Sequence, residues 1–287
     1  MGTLDGRISI ITGAGRGLGR AHALLFAAEG AQVVVNDRGA DDDDRGAAEA
    51  VVEEITAAGG AAVANHDDVT DWEGGQRLIE TAVATFGGLD VLVNNAGILR
   101  DRALVNMTEE DWDDVTTVHL KGHFVPTRWA ATYWREQSKA GTPRRASLIH
   151  TSSTSGLLGN PGQTNYGAAK AGVAAFAGIC AQELGRYGVR SNCIVPAART
   201  RLTEATPGLS DMVAAPDDGA GFDVWDPGNV SPVVAYLASA ACEVSDRTLF
   251  VQGGTVRVME GWRFGQRVEQ ERRWSVDALA EALDPLL

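Results

Sequence analysis

The chain has 287 residues, 44% of them apolar, a formal net charge of −13 and three scattered cysteines, Cys180, Cys193 and Cys242. This length and apolar fraction fit one large α/β domain with an ample core, and the acidity argues against a general nucleic-acid surface, because phosphate binding needs clustered Lys and Arg. An odd number of dispersed cysteines suggests neither a disulfide framework nor a zinc site, no apolar run approaches the roughly 18 residues of a membrane span, and MGTLDGRISIITGAG carries no signal pattern, so a cytoplasmic protein without membrane or metal is expected.

Short β-branched runs alternate with longer helical stretches. Ile8–Thr12 predicts a buried strand, followed by a glycine turn and an Ala/Leu-rich helix over about 17–29, with Gly30 as its closing glycine. Strands are predicted next at Gln32–Asn36 and Ala61–Asn65, with a helix over Glu49–Ala58 between them. Thr70-Asp-Trp-Glu73 reads as a capping box opening a helix that Gly87–Gly88 closes. Leu89–Val93 is a fourth strand, and Thr108 opens one long helix to about Gln137. Ser147–Thr151 and Val189–Val195 are further strands around a helix over Thr164–Tyr187, and a helix at Asn229–Ser239 precedes a last strand at Thr248–Val251. Continuous apolar strands separated by helices imply a parallel sheet of about seven strands covered on both faces, the doubly wound architecture. The acidic stretch Asp37–Gly46, the polar stretch Ser138–Arg145 and the Pro/Gly/Asp-rich stretch Arg199–Gly228 read as loops, the last long enough to be a binding loop.

Chemistry concentrates at two places. Thr12-Gly13-Ala14-Gly15-Arg16-Gly17-Leu18-Gly19 follows the first strand and opens the first helix. Its glycines permit a tight turn and close backbone approach to a pyrophosphate, which meets free N–H groups and the positive end of a helix dipole. Asp37 ends the second strand, where a carboxylate accepts from ribose hydroxyls and repels the extra phosphate of NADP. NAD is therefore expected over NADP, although Arg16 and Arg38 each carry the charge a 2′-phosphate needs. The second place is Ser153, Tyr166 and Lys170. Tyr166 and Lys170 share one helix face at four-residue spacing, and an ammonium beside a phenol favours the phenolate. Ser153 follows a strand at the ligand-binding edge of the sheet, suited to hold a substrate oxygen while Tyr166 exchanges its proton.

With these motifs in this order, the chain from about residue 5 to 255 resembles the short-chain dehydrogenase/reductase family. Asp68-Val69 after the third strand and Asn94-Asn95-Ala96-Gly97 after the fourth strengthen the likeness. The resemblance implies a three-layer αβα Rossmann fold, a homotetramer or homodimer, and Asp68 and Val69 against the adenine. It also implies that Asn94 to Gly97 line the cofactor cleft. VVVND at 33–37, NNAGILRDR at 94–102, DWDDVTTVHLKG at 111–122 and SSTSGLLGNPGQTNYGAAKAG at 152–172 are similar to one subgroup, the dehydrogenase unit of the D-specific multifunctional β-oxidation enzymes, or 17β-hydroxysteroid dehydrogenase type 4. That likeness implies NAD-dependent oxidation of a (3R)-hydroxyacyl-CoA or of a hydroxysteroid.

Two departures stand out. The family's fourth catalytic position, usually asparagine, aligns with His119, as it does in the subgroup; the plain alternative is a histidine that packs or bonds a backbone carbonyl. The usual Pro-Gly after the sixth strand is Pro196-Ala197, which leaves the nicotinamide amide contact to the Ala198–Thr200 backbone. Arg100, Arg102, Lys121, Arg199 and Arg201 are candidates for a basic mouth meeting CoA phosphates. Leu202, Met212, Val213, Phe222 and Trp225 are candidates for an apolar lid over a steroid. A tail over about 255–287, with Trp262 and Trp274, is expected to pack on a neighbouring subunit or on the substrate loop. The rival readings are an NADPH-dependent 3-oxoacyl thioester reductase and a catalytically silent NAD-binding scaffold.

Overall fold

Apolar side chains on both faces of each inner strand dictate the architecture. In the computed structural model, which describes residues 2–39, 46–200, 203, 213–216 and 221–286, β1 (Ile8–Thr12), β2 (Gln32–Asn36), β3 (Ala61–Asn65), β4 (Val91–Asn94), β5 (Ala146–Thr151), β6 (Val189–Pro196) and β7 (Thr248–Gln252) form a parallel sheet in the order β3-β2-β1-β4-β5-β6-β7. Side chains alternate between two cores, because successive strand residues point to opposite faces. Ile11, Val33 and Val35 pack with Phe26 of α1 (Gly17–Ala28), Val51 and Ile55 of α2 (Ala47–Ala57) and Val234 of α8 (Ser231–Ala238). Ile8, Ile10 and Val34 pack on the other side, with Leu78 of α3 (Trp72–Phe86), Trp134 of α5 (Gly122–Lys139) and Cys180 of α7 (Thr164–Leu184). Each such fully buried side chain contributes about 1.5–3 kcal/mol. The result is a three-layer αβα Rossmann fold.

The strand order reverses between β1 and β4, which lie side by side with Ile10 opposite Leu92. A crevice opens outside the carboxyl ends of the strands at such a switch point. Both sequence motifs open into it, the glycine turn after β1 and Asn94–Gly97 after β4.

Several elements differ from the sequence expectation. An eighth strand, β8 (Thr255–Met259), pairs antiparallel with β7 and forms the sheet edge, with Thr255 to Val258 exposed. The expected tail therefore opens with a strand. Trp262 and Phe264 follow, fully exposed, and Trp274 is half-buried. A last helix, α9 (Val276–Leu283), is capped by the Ser275 hydroxyl, which accepts from the Ala278 N–H at 3.2 Å. The cap of α3 is Asp71, not Thr70: Asp71 accepts from the Gly74 N–H at 2.6 Å, while the Thr70 hydroxyl donates to Asp68. The long helix expected from Thr108 is broken. The capping box holds, with Thr108 and Asp111 reciprocally bonded at the start of α4 (Glu109–Thr116). A π-helical turn over Thr117–Lys121 then separates α4 from α5, the Gly122 N–H returning to the Thr117 carbonyl. Such wide turns recur at functional sites, and this one carries His119. Among the described residues no helix is long and apolar enough to cross a membrane, and no cluster of His, Cys, Asp and Glu is arranged to hold a metal. The four aspartates at 41–44 lie outside the described residues.

Candidate active site

The glycine turn forms a cradle that side chains would fill. Gly13 and Gly17 take φ of +61° and +51°, a region L side chains rarely adopt. A Cβ on Gly19 would stand 2.1 Å from the Gly13 carbonyl oxygen, and one on Gly15 would stand 2.8 Å from the Asp37 carboxylate. Arg16 is the N-cap of α1 in extended conformation, and its side chain makes no capping bond to the first N–H groups of the helix. Leu18 packs beneath, on the α1 core. Asn95 ties the turn to β4: its Nδ2 donates to the carbonyls of Thr12 (3.0 Å) and Gly13 (3.3 Å). The Thr12 hydroxyl accepts the N–H groups of Asn95 and Ala96. Thr200 crosses from β6 and lies against Gly17, and Pro196 and Ala198 are fixed by pairing of Ala197 to Val251 and of Thr203 to Ala198. A glycine cradle, an open helix N-terminus and an acid at the end of β2 suit a dinucleotide.

Asp37 accepts the N–H of Gly15 at 2.9 Å and of Gly39 at 3.0 Å, which fixes its carboxylate at the cradle rim. Arg38 turns away to an ion pair with Asp68, whose other oxygen takes the N–H and hydroxyl of Thr70 at 2.8 Å each. Partial burial pushes the Asp68 carboxyl up, but Thr70 and Arg38 outweigh it and the group lies below the usual carboxylate range. Val69 is buried against Gly122, where the wide turn meets α5.

Ser153, Tyr166, Lys170 and His119 come together at the carboxyl end of β5. Ser153 caps α6 (Thr154–Leu157), its hydroxyl accepting from the Ser155 N–H, and faces the Tyr166 phenol. Lys170 Nζ lies 5.6 Å from the centre of the Tyr166 ring and donates to the Thr151 carbonyl at 2.6 Å. His119 stands edge to face with Tyr166, ring centres 5.1 Å apart. Its Nε2 lies 2.8 Å from the Ile98 carbonyl oxygen and 3.2 Å from the Ile98 N–H, while Gly97 leaves the space its ring occupies. Burial dominates the electrostatics. It pushes Tyr166 up to about 12 against the bond to Ser153, and Lys170 down to about 7. It also holds His119 well below its ordinary value, helped by the nearby Lys170. The sequence expectation that Lys170 lowers the phenol pKa thus meets a larger opposing effect, the desolvation of the phenol in the cofactor-free site.

Asn165 escaped the sequence reading. It is buried, its Nδ2 donating to the carbonyls of Arg100 (3.1 Å) and Asp111 (2.8 Å) and its Oδ1 accepting the Tyr166 N–H (2.7 Å). Gln163 donates to Asp101 and accepts from Ser155, bracing the loops around Ser153. The only local sign of either is a polar residue at the start of a helix.

The short chain dehydrogenase family model matches residues 7–212. The chain belongs to the short-chain dehydrogenase/reductase family. As such it is an oxidoreductase acting on CH–OH groups with a nicotinamide cofactor. It is 45% identical over 278 residues to the hydroxyacyl-CoA dehydrogenase ChsB1 of Mycobacterium tuberculosis, covering 96% of this chain and 84% of that one. It is 47% identical to the peroxisomal multifunctional enzyme type 2 of Drosophila melanogaster over 83% of this chain, which spans 38% of that protein. The crystal structure of a short chain dehydrogenase from Mycobacterium avium superposes with a TM-score of 0.89 at 50% identity, covering 99% of this chain and 95% of that one.

Around the site of this short-chain dehydrogenase three of the five candidates for a basic mouth are already engaged, while Lys121 is exposed on the wide turn. Arg102 pairs with Asp111 at 2.8 Å, Arg100 with Asp114 at 3.5 Å and Arg199 with Asp223. Arg201, Leu202 and Met212 lie outside the described residues. Of the other lid candidates Val213 is buried, Trp225 is half-buried with its carbonyl taking the Arg199 N–H, and Phe222 is exposed beside Gly253.

Proposed function

We propose that this chain is an NAD-dependent dehydrogenase that oxidises the (3R)-hydroxyl of a hydroxyacyl-CoA thioester, and reduces the ketone in reverse. The observation that carries the reading is the meeting of Ser153, Tyr166, Lys170 and His119 at the sheet edge, beside a cradle suited to a dinucleotide. The bound nicotinamide supplies an acceptor for the hydride of the carbinol carbon. The Ser153 hydroxyl holds the substrate oxygen, and Tyr166 takes the hydroxyl proton. Positive charge beside the ring, from Lys170 and from the oxidised cofactor, draws the phenol down from the high value that burial imposes. Lys170 also holds the nicotinamide ribose and passes the proton onward. His119 stays neutral and fixes the wall behind Tyr166. The turn Gly13–Gly19 holds the pyrophosphate, Asp37 the adenosine ribose, Asp68 and Val69 the adenine, and Asn95 to Gly97 with the 196–200 segment the walls of the cleft.

The choice of NAD is supported by Asp37 at the rim and by the engagement of Arg38 with Asp68. The substrate class is supported by the likeness to proteins named for hydroxyacyl-CoA and multifunctional enzymes. Assembly as a homodimer or homotetramer is supported by Trp72, Phe124 and Ile179, exposed on α3, α5 and α7. A cytoplasmic setting is supported by three free, buried thiols. The test is a screen following NADH or NADPH formation, with (3R)- and (3S)-hydroxyacyl-CoAs and 17β- and 3-hydroxysteroids side by side. Turnover confined to hydroxysteroids overturns the substrate. A strong preference for NADP overturns the cofactor and favours a 3-oxoacyl thioester reductase.

A further inference from the structure

At the opposite end of the cleft from Tyr166, the ends of β2 and β3 carry a histidine with two partners of one kind. The β2–β3 ladder pairs Asn36 with Asn65, and the Asp37 N–H continues it to the Asn65 carbonyl at 3.0 Å. This register sets His66, the residue after β3, beside Asp37. The ring then spans two elements. Its Nδ1 lies 2.9 Å from the Asp37 carbonyl oxygen, and its Nε2 lies 2.6 Å from the Glu49 carboxylate in the first turn of α2.

Both partners are acceptors. A carbonyl oxygen and a carboxylate offer only lone pairs, and a neutral imidazole carries a single N–H. Only the imidazolium, with an N–H at each nitrogen, satisfies both contacts. Partial burial pulls the ring's pKa down, but the bonds to the Asp37 carbonyl and to Glu49, with the charges of both residues, outweigh it and raise the pKa above its ordinary value. Among the described residues, the charged groups facing the ring are Glu49 from α2 and Asp37 from the end of β2, while its neighbours Asp67 and Asp68 turn to Arg77 of α3 and to Arg38. The two ends that His66 joins are walls of the glycine cradle. Asp37 accepts the N–H groups of Gly15 and Gly39. Ala47, the first residue of α2, lies so close to the turn that a Cβ on Gly15 would stand 2.8 Å from its own Cβ.

We propose that His66 is a positioning residue of the adenosine-ribose pocket: as an imidazolium it clasps the end of β2 to the first turn of α2, and it makes the affinity for NAD depend on pH. The proposal rests on the reading of Asp37 as the acid that binds the ribose. Below the raised pKa the ring carries both protons and both bonds hold. As the pH rises through it one proton leaves, and one nitrogen turns a lone pair on an acceptor. The clasp opens at Asp37 or at Glu49, and the rim of the cradle loosens. NAD therefore binds more tightly on the acid side. Linkage requires the reciprocal effect, so bound NAD raises the His66 pKa further. Both partners are about half-exposed, so solvent screening keeps the effect on the scale of a surface ion pair. His66 acts through Asp37 and α2 and not at the reacting atoms, so saturating NAD restores kcat.

The test is an NMR titration of the His66 ring in the full chain, with and without NAD, beside calorimetric titrations of NAD on both sides of the ordinary histidine pKa, at about pH 6 and about pH 8.5. His66 should titrate above its ordinary value in the free protein and higher still with NAD bound. Glu49→Gln should lower that titration point. Between the two pH values the wild-type affinity should fall about 2- to 5-fold more than that of His66→Gln, which should bind NAD more weakly at acid pH and keep the wild-type kcat at saturating NAD. Lys170, pushed down to about 7, is common to both proteins, so the difference between their profiles belongs to His66. A His66 that titrates at or below its ordinary value overturns the proposal, as do identical pH profiles of NAD affinity in wild type and His66→Gln. A protein that binds no dinucleotide at any pH defeats the reading of the cradle instead, and the titration of the free protein still decides whether the ring is a charged clasp.

Discussion

The His119 ring stands edge to face with Tyr166, centres 5.1 Å apart and planes at 83°, and its Nε2 is tied to the backbone of Ile98. One side chain thus pins the loop after β4 and forms the wall behind the phenol. His119→Ala should release both. Loss of a buried hydrogen bond of this kind costs about 1–3 kcal/mol, read by urea denaturation, and kcat should fall together with it because Tyr166 loses its support. A variant with unchanged stability and turnover would remove His119 from the account.

Asp37 makes a prediction about cofactor choice. In Asp37→Asn one acceptor survives for Gly15 or Gly39, but the charge that repels a 2′-phosphate is gone. The ratio of kcat/KM for NAD over NADP should drop at least ~10-fold, about 1.4 kcal/mol. Steady-state rates with the two cofactors measure it.

The cradle is tested at Gly19. An added Cβ would meet the Gly13 carbonyl oxygen at 2.1 Å and Asn95 Nδ2 at 2.8 Å, both in the tie between β1 and β4. Gly19→Ala should cost about 1–3 kcal/mol of stability and weaken NAD binding, measured by thermal melting and by calorimetric titration.

Four buried histidines make the fold sensitive to acid. His22 and His150 are pushed down to about 3 by burial, and His119 and His123 lie well below their ordinary value. The unfolded chain binds these protons below about pH 6.5 and the folded chain does not. Stability is therefore intact above that pH and falls as the pH drops, by about 1.4 kcal/mol per pH unit for each such histidine. Urea unfolding between pH 6.5 and 5 should show a steep decline, and His22→Gln should reduce the slope by one proton.

The sequence carries most of this architecture in its periodicity. Runs such as Ile8–Thr12 and Gln32–Asn36 are apolar on both faces, a pattern that only a covered parallel sheet satisfies, and their bounds agree with the structure to the residue. β8 is invisible to that logic, because Thr255 and Arg257 stand at an exposed edge where no burial pattern is imposed. The wide turn at Thr117–Lys121 is equally silent. Its residues suit an ordinary helix, and what accompanies the turn is tertiary: His119 anchored to Ile98, Gly122 packed on Val69. At the site, the order and spacing of Ser153, Tyr166 and Lys170 were readable. The support from Asn165 and Gln163 was not, since it depends on loops that only the fold brings near. Of three buried histidines near the site one was legible: His119 aligned with a family position, whereas His123 and His150 lie 27 residues apart and meet only across the α5–β5 contact.

The central claim is that Tyr166 moves the proton of an alcohol. Tyr166→Phe keeps the ring that packs on His119 and removes only the hydroxyl. Turnover of the best (3R)-hydroxyacyl-CoA, followed as NADH formation, should fall at least ~10²-fold, the scale of a lost general acid–base, while the dissociation constant for NAD changes little. Wild-type turnover in that variant would contradict the account.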